Sequence, residues 1–284
     1  AFALCLACVV PAAEPTTIAP TPIYRAKTAP IIDGKLDDAC WQHAVVVVAN
    51  HLYASPGQRT EPPPLVARFA WDERYLYIGY EVNDTNLVAL ASGRESGPPG
   101  NRRMTPEEYL PEKGLDLAEF FISFGSRREF WEIHHDAANH MNNLAIELPT
   151  PEALAKIPKP SYKDVTFHRE RFVADDGAFT VARAVRLKPR SDGKPSTVND
   201  PSDRDTGYTA EIRLPWAGLG APAEKRRPDG SFGMAGLRLP ILAASLNGNG
   251  GQAIYHSSAA SLPKLMFHFS VVHWPNYVLT NESK

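Results

Sequence analysis

Tyr75-Leu76-Tyr77-Ile78-Gly79-Tyr80-Glu81-Val82 carries the pattern that decides the fold. In an extended chain Leu76, Ile78, Tyr80 and Val82 fall on one side, and Tyr75, Tyr77 and Glu81 on the other. Eight residues with this period read as a strand with one face on a core. Just before it, Asp72-Glu73-Arg74 reads as a tight turn, and Leu65 to Trp71 as the strand that feeds it. Far downstream Thr209 to Leu214 repeats the pattern, with Ala210, Ile212 and Leu214 inward and Thr209, Glu211 and Arg213 outward.

Further strands are expected at Val45 to Val48, Glu119 to Phe124, Phe130 to Ala137, Val165 to Val173, Phe179 to Leu187, Leu237 to Ala244 and Leu265 to Val272. Only Pro151 to Ile157 offers a short helix. The 26 prolines and 19 glycines fall between these apolar runs, as turns between short strands require. Strands without interleaved helices argue for an all-β fold, a two-sheet antiparallel β-sandwich. Two inserts, Ala91 to Gly114 and Lys188 to Thr206, are rich in Pro, Gly and charge and read as long loops. Asp33-Gly34 suits a tight turn in which glycine supplies the positive φ, and Trp41, Trp71 and Trp216 read as core or rim anchors.

Lysine and arginine number 30 against 32 acids, a formal charge of −2. That balance gives no basic surface for nucleic acid. With 43% hydrophobic and 22% charged residues, the composition is that of a globular protein. Ala1 to Val10 is apolar and is followed by Pro11-Ala12-Ala13, so residues 1–13 read as the end of a secretory signal peptide cut from a longer precursor. A run of ten is too short to cross a membrane. Residues 14–27, rich in Pro and Thr, read as a linker, and 28–284 as one sandwich domain in a secreted or periplasmic protein. Cys5 and Cys8 fall in the leader, with Cys8 a weak candidate for a lipid anchor. Cys40, beside Trp41, is then alone and reads as buried rather than reactive.

Four segments together resemble the family 9 carbohydrate-binding modules. They are Ala29-Pro30-Ile31-Ile32-Asp33-Gly34-Lys35-Leu36-Asp37-Asp38-Ala39-Cys40-Trp41, Ala67-Arg68-Phe69-Ala70-Trp71-Asp72-Glu73-Arg74-Tyr75-Leu76-Tyr77-Ile78, Asp116-Leu117-Ala118-Glu119-Phe120-Phe121-Ile122, and Gly207-Tyr208-Thr209-Ala210-Glu211-Ile212-Arg213-Leu214-Pro215-Trp216. The resemblance runs from Thr28 to Val272. It implies a DOMON-like, jelly-roll-like sandwich and non-catalytic binding of a poly- or oligosaccharide in support of extracellular carbohydrate catabolism, often beside glycoside hydrolases.

A sugar site needs a hollow with a few convergent polar groups. In Phe130-Trp131-Glu132-Ile133-His134-His135-Asp136-Ala137, alternation sends Trp131, Ile133, His135 and Ala137 to the core. Glu132, His134 and Asp136, with Asn139 just beyond, are left to floor a polar groove; an ordinary solvated sheet face is the alternative. The resemblance adds His134 as a sugar contact, Asp116 and Glu119 at the start of a neighbouring strand, and Arg238 on a comparable one. It also implies two clamping tryptophans. In those places this chain offers only Tyr109, Tyr255 and His256, so the clamp is absent or rebuilt from these rings.

No cofactor is required by this reading. Asp200, Asp203 and Asp205 group oxygen donors of the kind calcium prefers, though ordinary turns use the same residues. His140-Met141 raises haem as an alternative, with no CxxCH motif to support it. A glycoside hydrolase would need two carboxylates held about 5 to 9 Å apart, and Glu119, Glu132 and Glu211 are the acids to consider. A sandwich used for protein contacts is the remaining alternative.

Overall fold

The computed structural model describes residues 19–55, 57–89, 101–102, 114–125, 128–158, 160–168, 171, 178–248, 253–260 and 271–284, the pair 101–102 by backbone alone. In chain order the strands are β1 (Thr21–Arg25), β2 (Val45–Ala49), β3 (His51–Leu52), β4 (Leu65–Trp71), β5 (Tyr75–Val82), β6 (Asn101–Arg102), β7 (Leu117–Ile122) and β8 (Glu129–His135). They continue with β9 (Met141–Glu147), β10 (Thr166–Phe167), β11 (Ala182–Leu187), β12 (Tyr208–Pro215), β13 (Arg238–Asn247), β14 (Ile254–Ser257) and β15 (Asn276–Ser283). Two one-turn helices, α1 (Ala39–Gln42) and α2 (Pro151–Leu154), join them.

The strands form two layers. The first sheet runs β15-β1-β4-β5-β12-β11, with β2 also on β4; the second runs β10-β9-β8-β7-β13-β14-β3, with β6 on β9. β13 belongs to both. Arg238 to Pro240 pair with β15, and Ile241 to Leu246 pair with β7. Pro240, which has no N–H to give a ladder, sits where the strand changes sheets. Most pairs are antiparallel, as expected, but β1 pairs in parallel with β15 and β4, and β6 with β9.

Between the layers lies the main core. The predicted inward residues of β5 (Leu76, Ile78, Tyr80, Val82) and β12 (Ala210, Ile212, Leu214) are all in it, and Trp71, Trp131 and Trp216 join them. Phe69 of the first sheet meets Phe120 of the second edge-to-face at 6.2 Å, a pairing that contributes about 0.5–1.5 kcal/mol beyond burial itself.

The outer face of the first sheet is covered by the segment before β2. Glu211 projects outward, as its alternation requires, and is fully buried there. Its carboxylate accepts from Asp33 N at 2.9 Å, Gly34 N at 2.8 Å and Trp41 Nε1 at 2.8 Å. Two of the four resemblance segments are thus one contact. Gly34 has φ +82, and a Cβ there would lie 2.9 Å from Val185 C, so both conformation and space require glycine. Cys40 is buried in the same layer, which pushes its thiol up to about 12, far from a reactive thiolate.

Several expectations are corrected. Thr21–Arg25, placed in the linker by its prolines, is strand β1; the N–H groups that proline lacks are not all needed at a short strand. Strands β9, β14 and β15 were not anticipated: β9 carries two asparagines, and β15 ends in a polar run. Val271–His273 is a 3-10 turn rather than the end of a strand, and residues 265–270 lie outside the described residues. So do residues 1–18, with the expected leader and Cys8, and most of the Ala91 to Gly114 insert. Residues 188–206 form a loop held by isolated bridges, as expected.

Candidate functional site

Antiparallel pairing of β7 and β8 sets Glu119 opposite His134 and Phe121 opposite Glu132. Next to them β9 sets Asn142 opposite His134 and Leu144 opposite Glu132. On the other flank β13 sets Ala244 opposite Glu119. Alternation therefore sends Glu119, Glu132, His134 and Asn142 to the outer face of the second sheet, while Trp131, Ile133 and Ala137 join the core. The sequence reading of β8 holds to this point.

The groove it anticipated is not open. Glu119, Glu132 and His134 are 2%, 1% and 2% exposed. The same face carries Phe121, Phe130, Ile146, Leu242 and Ala244, an apolar patch that needs a cover. Val271, Trp274, Tyr162, Phe167, Tyr53 and Tyr255 provide it. Trp274 lies edge-on to Phe130 at 5.2 Å and to Phe121 at 5.8 Å. Tyr162 stacks with Phe167 at 6.1 Å, and its hydroxyl donates to Glu132 Oε1 at 2.8 Å. Reading the polar positions of β8 without the apolar ones between them on neighbouring strands is what hid this cover.

Inside it, His134 Nε2 lies 2.8 Å from Glu132 Oε1 and 3.7 Å from Glu119 Oε1. Burial by itself would push the imidazole down, but the hydrogen bond to Glu132 and the charges of Glu132 and Glu119 outweigh it, and His134 titrates above its ordinary value. One donor atom from each of the three lies within 4.8 Å of the others, a spacing that can ligate a divalent cation. Glu129, Glu147 and His168 form a second such group, where Arg128 and Arg171 already pair with the carboxylates.

The other expected site residues are dispersed. Asp136 closes the β8–β9 turn: Oδ1 accepts from His140 N at 2.8 Å, and Oδ2 lies 3.0 Å from His140 Nδ1. Asn139, at φ 66 in that turn, accepts from His135 Nε2 at 2.9 Å. Asp116 ties two loops, accepting from Val88 N at 2.6 Å and Gly248 N at 2.9 Å. Burial, with Asp84 and Asp205 nearby, pushes it up to about 7. Arg238 is exposed on the stretch of β13 that belongs to the first sheet, away from this face. Tyr255 does reach the face, feeling the charges of Glu119 and Glu132. Its neighbour His256 points the opposite way, and Tyr109 lies outside the described residues. For haem, His140 is held by Asp136 and Met141 is packed in the core.

The calcium group does not converge. Asp200 accepts from Ser202 in an exposed turn. Asp203 is paired with Arg190 and Thr197. Asp205 is buried and accepts from Thr197 N at 3.0 Å and Leu87 N at 2.8 Å. The three are not among the clusters with ligand spacing found in the described residues.

The structure does hold a hollow elsewhere. A cavity of about 570 Å³ opens between the ends of β4 and β5 in the first sheet and the β13–β14 edge of the second. Thr60, Asn83, Asp84, Arg204, Asn247 and His256 are among its walls. Little in the sequence points to it, because its polar groups come from six separated stretches; of them only His256, as a ring for the clamp, and Asp205, as a calcium ligand, are singled out by the sequence.

Residues 32–94 match the family model described as carbohydrate family 9 binding domain-like. No curated protein sequence matches the chain. Among solved structures, a Bacteroides uniformis protein with a proposed carbohydrate-binding role matches with a TM-score of 0.53 at 13% identity, over 91% of this chain and 97% of that one. Two structures of a carbohydrate binding module family 9 from Caldicellulosiruptor kristjanssonii, with cellotriose and with glucose, give TM-scores of 0.46 and 0.47 at 14% identity. Each covers 93% of this chain, and 96% and 98% of its own. Over residues 32–94 the chain is similar in sequence to the carbohydrate family 9 binding domain-like family, and its two-layer fold is similar to that of the Bacteroides uniformis protein.

Proposed function

We propose that the chain is a non-catalytic carbohydrate-binding protein. The observation that carries this reading is the family match over residues 32–94, a stretch that runs from the Asp33-Gly34 turn through β5. Binding rather than hydrolysis is supported by the placement of the acids. Glu119 and Glu132 lie side by side under an aromatic cover with His134 between them. Glycoside hydrolysis needs two carboxyl groups that flank a scissile bond about 5 to 9 Å apart, with a sugar between them. Glu211, bound to the Trp41 segment, is on the opposite layer.

An extracellular or periplasmic location, and work beside glycoside hydrolases, accord with this reading. No helix among the described residues is long and apolar enough to cross a membrane. The test is retention on a panel of neutral and acidic polysaccharides by affinity electrophoresis, run beside a reducing-end assay. Retardation without new reducing ends is expected. New reducing ends, or no retardation on any polymer, would overturn the proposal.

A further inference from the structure

Resting on the carbohydrate-binding reading, we infer that the hollow between β5 and the β13–β14 edge is the saccharide site, and that it takes neutral sugars and repels uronates. Three observations argue for it.

The first is access. The outer face of β7 and β8 is closed by Tyr162, Tyr255 and Trp274, and its acids are at most 2% exposed. The hollow opens to solvent, and its volume of about 570 Å³ falls in the 300–1,000 Å³ range of small-molecule sites.

The second is the chemistry of the walls. A sugar ring offers hydroxyls around an apolar C–H surface. Asn83 and Asn247 supply amides that both give and accept hydrogen bonds, Asp84 supplies a carboxylate that accepts them, and Ile254, 44% exposed, supplies an apolar rim. The polar groups are held in place: Asn247 Nδ2 donates to Asp84 Oδ2 at 2.6 Å, and Asn83 Nδ2 donates to Pro63 O at 2.8 Å. Such fixed donors and acceptors bind at a lower ordering cost than mobile ones.

The third is sign. Asp84, Asp205 and Glu61 line the hollow against the guanidinium of Arg204. Asp84 and Asp205 also act on Asp116 behind the wall, adding to the burial that raises it. A uronate carboxylate would meet this excess of negative charge, whereas a neutral ring would not.

The test uses the full chain and isothermal titration with cellotriose, mannotriose, xylotriose and trigalacturonate. Thr85→Trp and Ser191→Trp, two exposed hollow residues, are each made to fill the space, with a thermal melt as a fold check. The expected result is that at least one neutral trisaccharide binds, that trigalacturonate binds at least about tenfold more weakly, and that each folded tryptophan variant loses at least about tenfold in affinity. A neutral trisaccharide bound equally well by both folded variants would overturn the hollow while leaving the carbohydrate reading intact. Trigalacturonate bound as tightly as the neutral sugars would overturn the charge selection. Binding of none of the four would overturn the inference and the reading beneath it.

Discussion

His134 and His135 are consecutive on β8, yet their imidazoles are driven in opposite directions. His134 faces Glu132 and Glu119 and titrates above its ordinary value. His135 faces the core, where burial first of all pushes it down to about 4 against the favourable bond to Asn139. Tyr80 and Asn139 hold its two ring nitrogens, which fits a neutral ring with its proton on Nε2. Heteronuclear NMR titration should find His135 neutral down to about pH 4, and His134 still protonated above pH 6.5. Coincident titration of the two near pH 6.5 would contradict the opposed burial of the pair.

That opposition has a consequence for stability. A histidine raised on folding stabilises fully below its unfolded value and loses that contribution as pH rises through its folded value; a histidine lowered on folding does the reverse. Thus His134→Gln should flatten the loss of stability above pH 6.5, and His135→Gln the loss between pH 6.5 and about 4. Urea unfolding at stepped pH reads both.

Asp116 adds to the alkaline side. Its carboxyl is raised from 3.8 to about 7, so folding favours the protonated form. Its contribution is complete below pH 3.8 and fades as pH rises through about 7. Asp116→Asn should therefore remove part of the fall in stability between pH 4 and 7. An unchanged profile would mean that Asp116 does not carry that strain.

Tyr162 fastens the cover of the second sheet to Glu132. Tyr162→Phe keeps the ring and its stacking on Phe167 but removes the donor. A cost of about 1–3 kcal/mol in urea unfolding is expected, from a buried carboxylate that loses a partner. A loss below about 0.5 kcal/mol would show that the bond is not formed in solution.

Glu211 fastens the other layer, through Asp33, Gly34 and Trp41. Glu211→Gln leaves one oxygen to face three donors. A loss of about 1–3 kcal/mol is expected for each donor left stranded, with a shift in Trp41 fluorescence as the segment loosens. Saccharide affinity should not change, since Glu211 does not line the hollow.

Strands with a strict period of two were legible in the sequence. β4 and β5 have the predicted bounds, and Glu211 points where its alternation sends it. β1 and β9 were hidden by prolines and asparagines that pattern reading assigns to loops. The closed face was half legible. Alternation placed Glu132 and His134 correctly, but exposure depends on Trp274, Tyr162 and Tyr255, which come from distant segments with no local signal. The hollow was least legible, because Asn83, Arg204 and Asn247 come from the end of β5, the 188–206 loop and the end of β13, and meet only in the folded chain.

A crystal structure with the tightest-binding trisaccharide tests the central claim most directly. Ring density is expected in the hollow, hydrogen-bonded to Asn83, Asp84 or Asn247 with a C–H face against Ile254. A sugar bound instead against Glu132 and His134, with Tyr162 swung away, would contradict it.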